Sequence, residues 1–541
     1  MRSKQPWIDY YDEGVSSNLV YPKIPLPDLM LESARKFPFH LCLQYGENKF
    51  TYGQVAALSR QVALNLKNAG LVPGESVGLV LPNVPQFVFA YFGILLAGGV
   101  VVPLNPVYTL RELAAQCRQT QVHWLIGWGA RSEVLRQIRQ ECDIKSLFLT
   151  DDADLSKPGD ALAQKPEWRS ALEIPFSVLL AATPKGEDLP HLSYESPAVL
   201  QFSGGTTGTP KAVVALHRNL VANSLQFREW LHNLKEGQEH FLTVIPLSHV
   251  YGMVIGLNVG LAMGAAIHLL PDARDTHAIL ECIQSQNISF YPGVPAMYFA
   301  INQNPEVRAG HYSLRSIKAC ISGSAPLDPE IRKTFEALTG GKLVEGYGLS
   351  EAPTATHCNP ILGENRSGSI GLPLPDVDSK IVPLPGYAKG IGELWVRGPQ
   401  VMPGYFEQVE ETQLAFSAGW LKTGDIGRMD RDGYFYLLGR NKDLIKVSGN
   451  QVWPREVEEV LAQLPQVKEA AVAGIPDLAK GERVKAWVVL REGQFIEEQR
   501  IIDFCRDSLA HFKVPGEIVF VPALPRTPVG KLLRRELVNL K

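Results

Sequence analysis

The sequence of 541 residues predicts an α/β protein with a large N-terminal body and a small C-terminal part. Helix and strand signals alternate from residue 51 to about residue 150, and again from residue 198 to about residue 370. Such alternation is typical of doubly wound units, in which crossover helices cover both faces of a parallel sheet. Shorter, β-rich signals then follow up to Arg440, and the remaining residues mix helix and strand signals.

The elements of the first unit can be assigned in order. Thr51 and Gln54 predict a capping box at the start of a helix, and Gly70 predicts its end. The apolar run at residues 77–81 predicts a buried strand, and residues 84–97, 110–120 and 131–140 predict helices with strands between them. A polar, proline-containing stretch at about residues 151–195 separates this unit from the second.

The later segments predict two smaller units. Beyond residue 370, short strand signals and turns such as Asp430–Gly433 predict a small β-rich subdomain. After Arg440, two helix signals and three strand signals predict an α+β domain. We therefore expect an N-terminal domain of residues 1–440, with two doubly wound subdomains and the β-rich one, and a C-terminal domain of residues 441–541.

The composition excludes several classes of protein. The chain has 53 Lys and Arg against 56 Asp and Glu, and 45% of its residues are hydrophobic, so disorder and a mainly nucleic-acid partner are not expected. Seven scattered cysteines without a C-x-x-C pair predict reduced thiols in a cytoplasmic protein. No signal peptide is predicted. The apolar stretch at residues 87–104 predicts a buried helix followed by a buried strand rather than a membrane span. A second apolar stretch lies at residues 251–271.

The segment at residues 200–214, LQFSGGTTGTPKAVV, predicts a phosphate-binding loop. Glycines let backbone N–H groups approach a ligand closely, while hydroxyls and a lysine suit a polyphosphate. The loop is not a Walker A motif, because Thr-Pro separates its last glycine from the lysine. A flexible loop without a ligand is the alternative. The candidate residues are Ser203, Gly204, Gly205, Thr206, Thr207, Gly208, Thr209 and Lys211.

This loop and four later segments together resemble the motif set of the adenylate-forming superfamily of acyl-CoA synthetases, luciferases and peptide-synthetase adenylation domains. The later segments are VEGYGLSEA (344–352), KTGDIG (422–427), GRNKDLIKVSGNQVWPREVE (439–458) and PRTPVGK (525–531). The chain looks most similar to bacterial long-chain fatty acid CoA ligases. The resemblance implies that ATP activates a carboxylic acid as an acyl-AMP, with release of pyrophosphate, before the acyl group passes to CoA.

The resemblance also implies roles for individual residues. Glu351 matches the Mg²⁺-binding acid, with the Ser203 hydroxyl beside the metal. Asp425 matches the carboxylate that holds the ribose hydroxyls, and Arg440 matches a second nucleotide contact. The residues that match the adenine and α-phosphate contacts are Gly323, Ser324, Ala325, Tyr347, Gly348 and Ser350.

The C-terminal domain of the family is mobile and uses one cleft for two half-reactions. Lys531 matches the lysine that contacts the substrate carboxylate and the phosphate during adenylation, and Lys442 occupies the hinge position. Lys446 and Gly449 fall in the loop that is expected to enter the cleft during transfer to CoA. A surface lysine is the alternative for Lys531.

The residues that would bind the acid have more than one interpretation from the sequence. Gly252, Gly256 and Gly260, followed by Gly264, recur every four residues and would form a stripe along one helix face. The stripe predicts close packing against another element, a groove for an acyl chain or, least of all, a membrane GxxxG helix. His249 and Tyr251 match a segment that lines the family's acyl pocket, although a core histidine is equally compatible with the sequence.

The expected protein is therefore an AMP-forming ligase for a medium- or long-chain fatty acid that uses ATP, Mg²⁺ and CoA. The alternatives are an aryl or other acid, a carrier-protein thiol in place of CoA, and a non-catalytic acyl- or nucleotide-binding scaffold. A cytoplasmic location is expected. Peripheral contact with the inner face of the membrane, and a monomer or a homodimer, stay open.

Overall fold

The structure is a computed structural model, and it describes residues 5–155, 173–182, 188–203, 210–385, 387–440, 443–447, 450–477, 481–527 and 530–540. The strands are β1 (Leu41–Tyr45), β2 (Asn48–Thr51), β3 (Ser76–Val80), β4 (Val100–Pro103), β5 (Val122–Trp128), β6 (Ser146–Thr150), β7 (Ile174–Pro175), β8 (Pro197–Phe202), β9 (Ala212–Leu216), β10 (His240–Thr243), β11 (Ala266–Leu269), β12 (Phe290–Gly293), β13 (Ala319–Ser322), β14 (Lys342–Gly348), β15 (Ala355–Cys358), β16 (Leu372–Pro373), β17 (Asp378–Pro383), β18 (Ile391–Arg397), β19 (Phe416–Ser417), β20 (Trp420–Met429), β21 (Phe435–Arg440), β22 (Ile445–Val447), β23 (Asn450–Val452), β24 (Val467–Asp477), β25 (Gly481–Leu490) and β26 (Glu517–Phe520).

The α-helices alternate with these strands in the body and flank them in the C-terminal part. They are α1 (Pro27–Lys36), α2 (Tyr52–Ala69), α3 (Pro85–Leu96), α4 (Leu110–Gln119), α5 (Ser132–Glu141), α6 (Ser177–Leu180), α7 (His217–Trp230), α8 (Val259–Ala262), α9 (Thr276–Ser285), α10 (Pro295–Gln303), α11 (Pro305–Arg308), α12 (Pro329–Thr339), α13 (Val409–Ala415), α14 (Pro454–Leu461), α15 (Glu498–Ser508) and α16 (Arg534–Leu537).

The predicted start and end of helix α2 are confirmed. The Thr51 side chain accepts a hydrogen bond from the backbone N–H of Gln54, and the Gln54 side chain accepts one from the backbone of Thr51. Gly70 ends the helix with φ of 105°, a left-handed conformation that glycine adopts without the steric cost of a Cβ.

Two sheets form the body, as the alternating signals predicted. The strand order is β7-β6-β5-β3-β4-β8-β9 in one and β16-β15-β14-β13-β12-β10-β11-β1-β2 in the other. Strands β3 to β8 of the first sheet pair in parallel, and so do the central strands of the second. The α/β class is therefore confirmed.

The chain does not divide between these sheets in simple order. Strands β8 and β9, which flank the predicted phosphate loop, belong to the first sheet, although they begin the second alternating stretch. Strands β1 and β2 belong to the second sheet, and β1 pairs with β11. Hydrophobic periodicity shows which segments are strands, but it carries no information about distant pairing partners.

Both long apolar stretches are buried, as predicted for the first. All residues of α3 are buried, in a core cluster that also contains residues of both large sheets. Residues Gly252–Asn258 form a π-helix that continues into α8, and this segment is also buried. In the described part of the chain, no helix is long and apolar enough to cross a membrane.

The β-rich and C-terminal parts each have their own sheet. Strands β17-β18-β20-β19 form an antiparallel sheet, with β21 paired to β20. Strands β23-β22-β25-β24, with β26 beside β25, form the sheet of the C-terminal part, which packs around separate core clusters. The predicted boundary at residue 440 stays a prediction, and it lies at the end of β21.

Candidate active site

A cavity of about 810 Å³ is lined by the two large sheets, the small antiparallel sheet and a few residues of the C-terminal part. The carboxyl ends of β8, β13 and β14 point to it, which is where open α/β sheets usually bind ligands. The small sheet contributes β20 and β21, and the C-terminal part contributes the loop around Lys531. The predicted residues that line the cavity are Ser203, Lys211, His249, Tyr251, Gly323, Ser324, Ala325, Tyr347, Gly348, Ser350, Glu351, Asp425, Arg440 and Lys531.

Asp425 lies at the centre of a hydrogen-bonded group in the cavity wall. It is paired with Arg440 across β20 and β21, and the Arg440 Nε lies 2.9 Å from Asp425 Oδ1. The Tyr347 hydroxyl donates to Asp425 Oδ2 at 2.5 Å. Burial and the neighbouring carboxylate raise the pKa of Tyr347 well above its usual value, so its hydroxyl stays protonated as a donor. The carboxylate is thus fixed in direction while further lone pairs remain for a ligand.

Two glycines at this end of the cavity leave no room for a side chain. A Cβ on Gly348 would lie 1.7 Å from the backbone oxygen of Thr354, and one on Gly323 would lie 3.2 Å from the Tyr251 ring. Ser324, between Gly323 and Ala325, has φ of 68°. The turn after β13, the end of β14 and the Tyr347 ring line the same cavity, so backbone and an aromatic ring are available there to a flat base.

Glu351 follows Tyr347 by four positions in the chain, and it also lines the cavity. The Tyr405 hydroxyl donates to Glu351 Oε1 at 3.0 Å. Nearby, the backbone N–H of Ser203 donates to the backbone oxygen of Lys211 at 2.9 Å, which closes the base of the predicted phosphate loop. The ammonium of Lys211 forms an ion pair with Glu411.

Lys531 reaches the cavity from a tight loop of the C-terminal part. Its backbone N–H donates to the Thr527 hydroxyl at 3.0 Å, and its backbone oxygen accepts from the Thr527 N–H at 2.8 Å. Burial and the nearby Arg440 lower the pKa of the Lys531 ammonium, while Asp425 and Glu351 oppose that shift. A cation in such a partly buried site interacts more strongly with an entering anion than a cation in bulk water does.

His249 is held as a neutral ring in the same wall. Burial, and to a lesser extent Lys531, lower the pKa of His249 to about 4. The backbone N–H of Tyr251 donates to His249 Nδ1 at 3.1 Å, so the neutral ring carries its proton on Nε2. The Tyr251 hydroxyl donates to the backbone oxygen of Ile321 at 2.7 Å, which fixes its ring beneath Gly323.

The glycine stripe does not border open space in this structure, so the acyl groove, the second alternative for the stripe, is not seen. A Cβ on Gly252 would lie 2.5 Å from backbone oxygens of residues 245 and 246, and one on Gly256 would lie 2.9 Å from Thr243 Cγ2. A Cβ on Gly260 would lie 3.1 Å from the side chains of Ile267 and Phe241. Close packing, the first alternative, describes the stripe, because the π-helix packs against Thr243 of β10 and the residues that follow it, and Gly260 of α8 packs against Phe241 of β10 and Ile267 of β11.

The remaining predicted residues lie elsewhere or outside the described residues. Lys446 is exposed on β22, its backbone N–H donates to Glu482 at 2.7 Å, and it does not line the cavity that holds Lys531. The predicted residues outside the described part are Gly204, Gly205, Thr206, Thr207, Gly208, Thr209, Lys442 and Gly449.

Three residues of the cavity wall were missed by sequence reasoning. Glu345 is buried on β14, and burial raises its pKa to about 7. Its signal was available, because an acid within a buried strand is unusual. Tyr405 and Glu411 had no comparable signal, since their partners Glu351 and Lys211 are distant in the sequence.

Comparison with known proteins gives the class of this chain. The family model described as AMP-binding enzyme matches residues 30–406, and the model described as AMP-binding enzyme C-terminal domain matches residues 456–531. The chain therefore belongs to the AMP-binding enzyme family, and the resemblance stated from the motifs is confirmed.

Individual relatives cover nearly the whole chain. A long-chain-fatty-acid–CoA ligase of Bacillus subtilis (strain 168) is 38% identical over 100% of this chain and 98% of its own length. A ligase of the same name from Escherichia coli O157:H7 is 32% identical over 99% and 98%. A crystal structure of an anthranilate–CoA ligase in complex with anthranoyl-AMP has a TM-score of 0.84 at 25% identity, covering 96% of this chain and 97% of that one.

Proposed function

We propose that this protein is an ATP-dependent ligase that joins a medium- or long-chain fatty acid to CoA through an acyl-AMP. The observation that carries the proposal is the meeting of Asp425, Glu351 and Lys531 from three parts of the fold in one cavity. Relatives of nearly equal length that are named long-chain-fatty-acid–CoA ligases support the choice of acid and acceptor.

At the nucleotide end, the protein would bind the base and the ribose of ATP. Asp425, with Arg440 and Tyr347 each occupying one of its oxygens, would accept hydrogen bonds from the ribose hydroxyls. The adenine would lie beside the Tyr347 ring, in the part of the cavity lined by Gly323, Ser324, Ala325 and Gly348. The fixed carboxylate thereby sets the direction in which the phosphates run.

The phosphate end would neutralise the charge of the triphosphate. Lys211 and Ser350 line this part of the cavity, and Glu351 keeps one carboxylate oxygen free of the Tyr405 hydroxyl. Mg²⁺ fits this arrangement, because it is commonly bound through one or two carboxylates together with substrate phosphates and water. Glu351, with Ser203 beside it, would hold the ion, which supplies charge neutralisation for phosphoryl transfer when it is bound.

In the first half-reaction, a carboxylate oxygen of the acid attacks the α-phosphorus of ATP. A P–O bond forms to give acyl-AMP, and the P–O bond to the leaving pyrophosphate breaks. Lys531 would bring the two anions together by contacting the carboxylate and the α-phosphate, because a desolvated ammonium offsets their repulsion. The loop at Thr527 sets the direction of the side chain.

In the second half-reaction, the CoA thiol attacks the acyl carbon, the C–S bond forms, AMP leaves and the thiol proton is released. Lys531 lines the cavity and Lys446 does not, which supports our assignment of this arrangement to the first step. We propose that residues 441–541 rotate about Lys442 to bring Lys446 and Gly449 to the cavity for the second. Replacing Lys442 by Pro should slow transfer to CoA more than adenylation, and rates unchanged from wild type in both steps would contradict the hinge.

The acyl end would lie at His249 and Tyr251. Neutral His249 and the immobilised Tyr251 ring present little charge to the chain of the acid. An aryl acid is the second candidate substrate, since a solved structure with the same fold is an anthranilate–CoA ligase. A carrier-protein thiol is the second candidate acceptor.

The proposal is tested by pyrophosphate release with ATP, Mg²⁺ and a panel of fatty and aryl acids, with CoA or a carrier-protein thiol. Turnover with fatty acids and CoA is expected, and preference for an aryl acid or a carrier protein would replace the substrate named here. If no acid supports release of pyrophosphate from ATP, the proposal that the protein is an acid-activating enzyme is rejected.

We also propose that the enzyme is cytoplasmic and contacts the inner face of the membrane peripherally, because a long acyl chain partitions into lipid. Co-sedimentation with vesicles of phosphatidylethanolamine and phosphatidylglycerol tests this part, and recovery of all protein in the supernatant would contradict it.

A further inference from the structure

The ammonium of Lys211 has an anionic partner in the cavity wall. It pairs with the carboxylate of Glu411 on α13 and lies 5.1 Å from the centre of the Tyr405 ring. The two charged side chains are 27% and 44% exposed, so solvent and a ligand can reach the pair from the cavity. Both residues line that cavity, next to Ser203 and Glu351.

Glu411 lies in the segment of residues 402–412, and contacts of this segment fix its position. The backbone N–H of Val214 donates to Gly404 at 3.0 Å, and that of Phe406 donates to Ala212 at 2.8 Å. The segment is thus joined to β9, the strand that leaves the predicted phosphate loop at Lys211. The backbone N–H of Tyr405 donates to the Thr412 hydroxyl at 2.9 Å, which ties the start of α13 to the same segment.

The same segment also holds the carboxylate assigned to Mg²⁺. The Tyr405 hydroxyl donates to Glu351 Oε1, and the backbone N–H of Met402 donates to the backbone oxygen of Glu351 at 2.9 Å. One segment therefore contacts Lys211 and Glu351 and also carries Glu411. The Lys211–Glu411 pair is a built part of the phosphate end rather than a chance surface contact.

We propose that Glu411 is a positioning residue that competes with pyrophosphate groups for Lys211. In the free enzyme, Glu411 holds the ammonium at the edge of the phosphate end. When ATP binds, its β- and γ-phosphates take the ammonium from Glu411, and the carboxylate takes it back as pyrophosphate leaves. The inference rests on the proposed function, because the exchange requires a polyphosphate ligand at Lys211.

The competition has a direction that can be measured. Every polyphosphate that binds must break the Lys211–Glu411 pair and approach the carboxylate, so Glu411 weakens its binding. Partly exposed ion pairs of this kind change an equilibrium by about two- to fivefold. Removing the charge of Glu411 should therefore tighten the binding of both ATP and pyrophosphate by about that factor, and it should slow the release of pyrophosphate.

The test compares Glu411→Gln with wild type in equilibrium binding of inorganic pyrophosphate with Mg²⁺, and in inhibition of turnover by added pyrophosphate. The dissociation and inhibition constants are expected to fall about two- to fivefold, while KM for the fatty acid stays unchanged. Glu411→Asp keeps the charge and should stay closer to wild type. Glu410→Gln removes a neighbouring exposed charge that does not line the cavity, and it should bind pyrophosphate as wild type does.

The outcomes separate this inference from the proposed function. Equal or weaker pyrophosphate binding by Glu411→Gln would overturn the competition, even if acid-dependent pyrophosphate release is normal in wild type. A drop in thermal midpoint with a rise in every KM would assign Glu411 a purely structural role and would also overturn it. If wild type neither binds nor releases pyrophosphate, the proposed function fails together with the inference.

Discussion

At the nucleotide end of the cavity, Asp425 is held by Arg440 and Tyr347 at 2.9 and 2.5 Å, and its carboxylate keeps unused lone pairs. At the end that we assign to the acyl chain, a neutral His249 lines the cavity, and the glycine stripe that follows it in the chain packs against residues 241–246 and Ile267 without lining the cavity. The first end is built from charged hydrogen bonds with fixed directions. The second is built from close packing, in which volume matters more than direction.

This difference predicts how each end responds to change. Removing a charged group should affect one ligand or one half-reaction strongly and leave the fold largely intact. Adding volume to the packed helix should affect the stability of the fold and, only if the helix moves from the strands, the choice of acid.

The largest effect is expected for Lys531→Ala. Loss of a preorganised cation beside a developing charge typically costs about a hundred- to a thousandfold in rate, so formation of acyl-AMP should fall by that factor. Transfer to CoA from supplied acyl-AMP should stay largely intact, because we assign Lys446 and Gly449 to that step. Quench-flow assays of the two half-reactions measure both rates, and equal loss in both would reject the role of Lys531.

A smaller effect on the same end is expected for Asp425→Ala. Hydrogen bonds to a charged group contribute about 1.5–3 kcal/mol, so kcat/KM for ATP should fall at least about tenfold. KM for the fatty acid should change little. Steady-state kinetics with each substrate varied in turn gives both constants. A loss shared equally by the two substrates would show that Asp425 supports the fold rather than the ribose.

The packed end is tested by Gly256→Leu. Because a Cβ at this position would lie 2.9 Å from Thr243 Cγ2, the larger side chain should destabilise the protein by about 1–3 kcal/mol. Unfolding in urea measures the change. Gly516→Ala provides the matched control, because Gly516 is not in the left-handed region and a Cβ there would meet only the backbone oxygen of Val484 at 3.9 Å. A stable variant that prefers shorter acids would instead indicate that the stripe borders an acyl groove.

The smallest effect is expected from the pH dependence of Glu345. Its pKa is about 7 in the folded protein against an ordinary value of 4.5, so the folded state binds more protons between these pH values. Stability should therefore fall as pH rises through 7, by about 1 kcal/mol between pH 6 and pH 8. Unfolding at both pH values should show this fall in wild type and its absence in Glu345→Gln. An identical pH dependence in the two proteins would remove Glu345 as the cause.

The sequence was most informative where functional residues lie within a short, recognisable motif. Tyr347, Glu351 and Asp425 lie in short motifs, and the structure brings them to one cavity. The pairing of Lys211 with Glu411 joins residues 200 positions apart, so no local pattern predicts it. The packing of the glycine stripe was undecided for a related reason, because spacing identifies a helix face but does not identify the surface that covers it.

The central claim is that one cavity activates the acid as an acyl-AMP before CoA takes part. The most direct measurement is a rapid-quench assay with ATP, Mg²⁺ and a long-chain fatty acid in the absence of CoA. We predict a burst of pyrophosphate that depends on the acid, together with enzyme-bound acyl-AMP that is converted to acyl-CoA when CoA is added. Pyrophosphate release that is independent of the acid, or absent until CoA is present, would contradict the account.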